Sequence, residues 1–143
     1  MTQIKLQLHV LTQEREVFKD TADIILAPAY DGQIGILPGH IGLLTKLVGG
    51  ELYIISGPSM AILAITGGLL DVHNDQVTVM ADSAARADEI DIAKVEAAKA
   101  KAEESLKAKL STRDFAVAEA DLRKAVLELK VARKRHAKIP YEV

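Results

Sequence analysis

Gln76-Val77-Thr78-Val79-Met80-Ala81 and, beyond a short spacer, Asp88-Glu89-Ile90-Asp91-Ile92-Ala93-Lys94-Val95-Glu96-Ala97-Ala98 follow two different grammars. The first alternates apolar and polar residues with period two and is rich in Val, as a half-buried strand requires. The second is Ala-, Glu- and Lys-rich, and Ile92, Val95, Ala98 or Lys99, Ala102, Leu106 and Leu110 recur at helical spacing. No Gly or Pro occurs between residues 84 and 139. The change near Ala84 therefore predicts an α+β chain. A β-rich domain is expected over residues 1–87, and a C-terminal α-helical hairpin over residues 88–143.

Upstream of the switch the pattern stays strand-like. Ile4, Leu6, Leu8 and Val10 alternate with Lys5, Gln7 and His9, and Ile24 to Ala27 is a further strand candidate. Asp31-Gly32 reads as a hairpin turn, because Gly tolerates positive φ. Gly35, Pro38, Gly39 and Gly42 punctuate the next stretch, and His73-Asn74-Asp75 a later one. Many short strands with frequent turns imply a sandwich or barrel. Downstream, Asp88, Glu89 and Asp91 precede the first helix and Lys107 and Lys109 end it, matching the helix dipole. Ser111 with Asp114 resembles a capping signal for a second helix from about Thr112. Phe115, Ala118, Leu122, Ala125, Leu129 and Ala132 would line one of its faces, and Pro140 would end it. Such Ala-rich stripes bury little area, at ~25 cal/mol per Å², so the hairpin is expected to be weakly held.

Residues 52–70 carry no charge and approach the length of a membrane span. Gly57, Pro58, Gly67 and Gly68 interrupt the run, and Tyr53, Ile54, Ile55, Ile62 and Ile65 favour strands around a Gly57-Pro58 turn. No membrane insertion is expected. The N-terminus has no basic cluster leading into an apolar run, so a signal peptide is not expected either.

The 143 residues are 49% hydrophobic and 27% charged, as in ordinary soluble domains, with a formal net charge of -2. The absence of Cys removes disulfides, thiolate nucleophiles and Cys-based metal sites. Neither a P-loop nor a His-Glu-x-x-His nor a Gly-x-Ser-x-Gly motif occurs. His9, His40, His73 and His136 form no local metal pair. His9 and His73 read as surface residues; His40, in the loop Pro38-Gly39-His40, is the one candidate for an interaction role. No catalytic residue, metal or cofactor is expected. Residues 1–87 hold five Lys/Arg against nine Asp/Glu, and residues 88–143 thirteen against eleven. Within residues 123–138, Arg123, Lys124, Lys130, Arg133, Lys134, Arg135 and Lys138 stand against a single acid, Glu128. This basic end is either a solvated helix terminus or a contact surface for an acidic partner or phosphate. With five aromatics and no RNA-binding signature, nucleic acid is not expected.

The segment Asp31-Gly32-Gln33-Ile34-Gly35-Ile36-Leu37-Pro38-Gly39-His40-Ile41-Gly42-Leu43-Leu44 resembles the GELGILPGHxPLL segment of the epsilon subunits of bacterial F-type ATP synthases. Gly67-Gly68-Leu69-Leu70-Asp71-Val72 is similar to the family's GGFLEV, and Asn74-Asp75-Gln76-Val77-Thr78-Val79-Met80-Ala81 to its DNVTILA. Gly42 stands where many members have Pro. The resemblance runs in order over essentially the whole chain. It implies an N-terminal antiparallel β-sandwich over residues 1–87 followed by the C-terminal α-helical hairpin, in a non-catalytic rotor subunit peripheral on the cytoplasmic face of the bacterial plasma membrane. The sandwich would hold the gamma subunit and the c-ring, with Asp31, Gly32 and His40 near that contact and the flanking Ile36, Leu37, Leu43 and Leu44 in the core. The hairpin would inhibit ATP hydrolysis by reaching the alpha and beta subunits through Arg123, Lys124, Lys130, Arg133, Lys134 and Arg135. Members that bind ATP carry Ile/Leu-Asp-x-x-Arg-Ala where this chain has Ile90-Asp91-Ile92-Ala93-Lys94-Val95. Asp91 and Lys94 are thus a degraded form of that motif, from which weak or no ATP binding is expected. Two other classes stay open on residues alone: a helical module binding nucleic acid or phosphate through residues 123–138, and an enzyme with an unrecognised site.

Overall fold

The computed structural model describes residues 3–134. Eight strands come first: β1 Leu6–Leu11, β2 Glu16–Ala22, β3 Ile24–Ala29, β4 Gly32–Ile36, β5 Leu43–Ser56, β6 Ser59–His73, β7 Gln76–Ala81 and β8 Ala84–Arg86. A 3₁₀ turn, Ala87–Glu89, leads to α1 (Ile92–Lys107) and α2 (Thr112–Arg133). The strands are hydrogen-bonded in the order β2-β1-β7-β6-β5-β3-β4, with β8 also on β6. The uncharged run of residues 52–70 is the end of β5, a turn and most of β6, and among the described residues no helix is long and apolar enough to cross a membrane.

One continuous sheet makes both layers because β5 and β6, 14 and 15 residues long, pair along their whole length. β7 pairs with the far part of β6 from Gly68 to His73, whereas β8 takes Leu63 to Ile65. Between these parts the inward-facing parity changes. In β6 the core residues are Leu63 and Ile65, then Leu70 and Val72; in β5 they are Leu47, then Leu52 and Ile54. A strand of strict period two cannot do this, so each has a break: Gly49-Gly50 in one, Gly67-Gly68 in the other. Gly67 and Gly68 have φ of 131° and 141°, and a Cβ on Gly68 would lie 2.0 Å from the Met80 carbonyl oxygen. Only Gly fits there. The enclosed core draws on seven strands, including Leu6, Leu8 and Val10 of β1 and Val77 and Val79 of β7.

The expected antiparallel arrangement fails at one place: β1 runs parallel to β7, with Leu8 opposite Val77 and Val10 opposite Val79. Alternation encodes which face of a strand is buried and not which way its neighbour runs, so the local pattern could not disclose this. β3 holds an unexpected Pro28. Its pairing with β5 is irregular between Leu26 and Ala29, where Pro28 has no N–H to give. Ile4, predicted to continue the β1 face, lies outside β1 and is exposed.

The two helices pack on each other, and α2 is the one that meets β5, β6 and the 3₁₀ turn. Asp91 caps α1, its carboxylate accepting from the Lys94 N–H at 3.2 Å, and Ser111 caps α2 by accepting from the Asp114 N–H at 3.2 Å. α1 stops at Lys107, so Leu110 falls in the connection. Ala102 is the buried residue of α1; Ala118, Ala125, Leu129, Val131 and Ala132 are those of α2. Phe115, placed on that stripe by spacing, is exposed instead. A second apolar cluster, separate from the core, joins Tyr53, Ile62 and Ala64 on the outer face of β5 and β6 to Val131 and Ala132.

Candidate functional site

The Asp31–Leu44 segment forms β4 flanked by two turns. Gly32, with φ 121°, closes the β3–β4 turn beside exposed Asp31. At the other end Gly39, with φ 84°, donates its N–H to Asp75 Oδ1 at 2.6 Å, tying this turn to the β6–β7 turn. His40 donates its backbone N–H to the Leu37 carbonyl at 3.1 Å, and its Nδ1 lies 2.7 Å from the Ile41 carbonyl oxygen. β4 therefore stands between Asp31-Gly32 and His40; four strand steps of ~3.3 Å separate its two ends. The residues read as one contact belong to opposite ends of an edge strand.

The apolar neighbours split unevenly. Ile36 is buried and Leu43 packs partly on the core, but Leu37 and Leu44 are 52% and 69% exposed, and Ile41 81%. Parity explains Leu44: it alternates with Leu43 and Leu47, which face inward. Val48, Leu69 and Met80 are also exposed, and Leu69 pairs directly with Met80. These apolar residues share the outer face of β5, β6 and β7 with exposed Lys46, which stands opposite Leu69, and exposed Asp71, which stands opposite Leu44. Several large apolar side chains exposed on one sheet face mark an interaction site more often than single scattered ones do.

The basic residues of α2 do not form one open surface. Arg123 pairs with Glu119 and Lys124 with Glu128, each one turn away on the same helix. Lys130 and Lys134, also one turn apart, both reach Glu51 on β5, at 3.1 Å and 2.9 Å. The Tyr53 hydroxyl donates to Glu51 and accepts from Lys134 Nζ at 3.2 Å. Arg133 is exposed, and Arg135 lies outside the described residues. Glu51 and Tyr53 share the outward parity of β5 just after the Gly49-Gly50 break, which aims both at α2. Burial alone would raise the Glu51 pKa; hydrogen bonds from Tyr53, Lys134 and Lys130 together outweigh it and hold the carboxylate below its ordinary value. Burial and the bond to Glu51 push the Tyr53 hydroxyl up, and bonds to Glu51 and Tyr53 push Lys134 up. Sequence reading missed Glu51, although it is the only acid between Asp31 and Asp71.

A cleft of ≈ 740 Å³ runs between α1 and α2 and ends at Arg15, Ala85 and Arg86 of the sandwich, and Asp91 and Lys94 line it. The Asp91 carboxylate is engaged as the helix cap. Arg15, Arg86, Lys94, Lys101 and Lys124 share the lining with Glu89, Asp91, Asp114, Asp121 and Glu128, so the charges balance. Burial raises the Glu128 pKa, and Lys124 offsets this only in part. Among the described residues no three His, Asp or Glu side chains converge as a metal site.

Two family models together span nearly all of the described chain. Residues 5–87 match the β-sandwich domain of the ATP synthase delta/epsilon chain, and residues 88–133 match its long α-helix domain. An ATP synthase epsilon chain of Herpetosiphon aurantiacus is 45% identical over 131 residues, covering 91% of this chain and 96% of that one. One of Dehalococcoides mccartyi is 46% identical over 132 residues, covering 92% and 94%. Among solved structures, a chain of the Euglena gracilis mitochondrial ATP synthase (OSCP/F1/c-ring) aligns with a TM-score of 0.73 at 21% identity, over 90% of this chain and 81% of that one. A chain of the Tetrahymena thermophila mitochondrial ATP synthase central stalk and c-ring aligns at 0.60 and 16% identity, over 92% and 99%. At those identities the structural likeness shows a shared fold.

Proposed function

The chain belongs to the ATP synthase delta/epsilon family, and from that premise we propose that it is a non-catalytic central-stalk subunit that couples ion translocation to ATP synthesis. The observation that carries this reading is the exposure of Leu44, Val48, Leu69 and Met80 on one sheet face, around Lys46 and Asp71, with Ile41 exposed at the His40 turn. A sandwich with no partner gains nothing by leaving them in water, since each large apolar side chain buried against a partner contributes roughly 1.5–3 kcal/mol. The gamma subunit covers them in this reading. The c-ring lies against the turns of the same sandwich, among them His40 and, at the far end of β4, Asp31 and Gly32. The protein is then peripheral on the cytoplasmic face of the bacterial plasma membrane.

The hairpin, residues 88–143, is the regulatory part, and residues 1–87 are the stalk-binding part. When extended along gamma, the hairpin inhibits ATP hydrolysis by presenting its basic residues to the alpha and beta subunits, a collective effect because single exposed pairs are worth ~0.2–1 kcal/mol. Co-expression with a tagged gamma subunit tests the central claim. The wild-type chain co-purifies with gamma, and Leu44→Asp with Met80→Asp abolishes this while circular dichroism stays unchanged. Retention of the folded double variant on gamma would place the contact elsewhere. In the assembled enzyme, His40→Ala with Asp31→Ala is expected to weaken coupling of ATP turnover to ion pumping.

A further inference from the structure

The two lysines best placed to meet an acidic partner are the two that the chain itself occupies. Lys130 and Lys134 lie one turn apart on the face of α2 toward β5, and Glu51 holds both. The Glu51 side chain is only 9% exposed, and three donors converge on it, two lysine ammonium groups and the Tyr53 hydroxyl. Arg123 and Lys124 differ, because their acids travel with the same helix and stay paired wherever the helix goes. The apolar part of the docking is small. Val131 and Ala132 of α2 meet Tyr53, Ile62 and Ala64 of the sandwich, and Ala87 and Ile90 complete the cluster. Small side chains bury little area, so a three-donor carboxylate is a large share of what holds α2 down.

We propose that Glu51 is the latch of the hairpin: closed, it commits Lys134 fully and Lys130 in part, and both ammonium groups are released to an acidic protein surface once α2 has left the sandwich. The inference rests on reading the hairpin as a regulatory element. It adds that the closed contact and the acidic partner compete for the same two groups. Lys134 Nζ points its three donors at both Glu51 oxygens and the Tyr53 hydroxyl, at 2.9–3.2 Å, and has none left for another chain. Lys130, 61% exposed, has a single contact with Glu51 at 3.1 Å, which a carboxylate on another chain would compete with. Opening is therefore opposed by Glu51 and favoured by any surface that presents carboxylates at the spacing of one helical turn.

The test uses the full chain, which has no Cys of its own, so Glu14→Cys and Ala116→Cys place a spin label on the sandwich and on α2. Pulsed EPR distances are expected to show one closed population in the parent. With Glu51→Gln the open-to-closed ratio rises roughly tenfold to a hundredfold, the range set by losing a charge-assisted hydrogen-bond cluster. Binding of poly-L-glutamate tightens in parallel. Glu104→Gln, which removes an exposed carboxylate of α1, changes neither. Lys130→Gln with Lys134→Gln opens the hairpin as Glu51→Gln does but abolishes the gain in poly-L-glutamate binding, and it covers the case in which Glu51→Gln misfolds. Unchanged distances in both variants, or opening in Glu51→Gln without tighter binding, overturns the latch. Co-purification with gamma reads the stalk role separately, so a failed latch and a failed stalk assignment give different results.

Discussion

At Gly68 one methyl group decides whether the sheet can fold over. Its φ of 141° disfavours any L side chain, and the added Cβ would meet Met80 O at 2.0 Å and Ala81 Cα at 2.9 Å, both backbone atoms that cannot swing away. Gly68→Ala is expected to destabilise by more than ~3 kcal/mol in thermal or urea unfolding. Gly35→Ala, whose Cβ would find Leu26 Cδ2 at an ordinary 3.5 Å, should stay within ~1 kcal/mol of the parent. Equal losses from the two would remove the argument from close approach. Two carboxylates give opposite pH responses. Glu51 is held below the ordinary carboxylate value of 4.5, so its contribution is complete above that value and is lost as pH falls through its lower folded pKa. Glu128 is raised above 4.5, so its contribution is complete below that value and is lost as pH rises through its folded pKa; at neutral pH its buried charge is a liability. Glu128→Gln should therefore raise the melting temperature at pH 7 and leave it nearly unchanged near pH 4. A loss at pH 7 would mean that the Lys124 pair outweighs the burial.

At the scale of elements, the cleft between the two helices has the size of a ligand site but not the charge of a triphosphate site. Five acids face five bases across it, Asp91 is committed to the α1 cap, and Lys94 lacks the planar fork that grips phosphate through two bonds. Calorimetric titration of the full chain with Mg-ATP is expected to show no saturable binding in the micromolar range, and a micromolar isotherm would restore the site. Much of the element plan was legible beforehand. Turns at Asp31-Gly32, Gly57-Pro58 and Asn74-Asp75 follow from residues that tolerate positive φ, and the Ser111 cap from its Asp114 partner. What local pattern could not supply was anything that needs two distant segments at once. The parallel β1–β7 pairing depends on how the chain crosses between layers. The exposure of Leu44 depends on where β5 changes parity. The Glu51 cluster joins residues 83 apart, and from sequence Glu51 is one acid at the head of an apolar run, while Lys130 and Lys134 are two cations in a basic helix.

At the scale of the whole molecule the apolar contacts fall into two separate clusters of unequal size. The main core draws only on residues of the sandwich, whereas the hairpin is joined by a small separate cluster and by Glu51. Their charges are complementary as well: the first 87 residues carry an excess of acids and the remainder an excess of bases. Removing residues 88–143 should then leave the sandwich folded, with Tyr53, Ile62 and Ala64 newly exposed and the exposed Leu44, Leu69 and Met80 untouched. In the assembled enzyme this truncation is expected to raise ATP hydrolysis while gamma still co-purifies with the shortened chain. Glu51→Gln should act in the opposite direction. It frees the hairpin without removing it, so the inhibited population grows and hydrolysis falls below that of the parent, by a factor that shrinks as salt screens the contact of Lys130 and Lys134 with acidic neighbours. The pair of variants separates the two halves of the idea. Faster hydrolysis in the truncation with no change in Glu51→Gln would keep the hairpin as an inhibitor and discard the latch. Unchanged hydrolysis in the truncated complex would mean that the hairpin does not inhibit in this protein, whatever holds it to the sandwich.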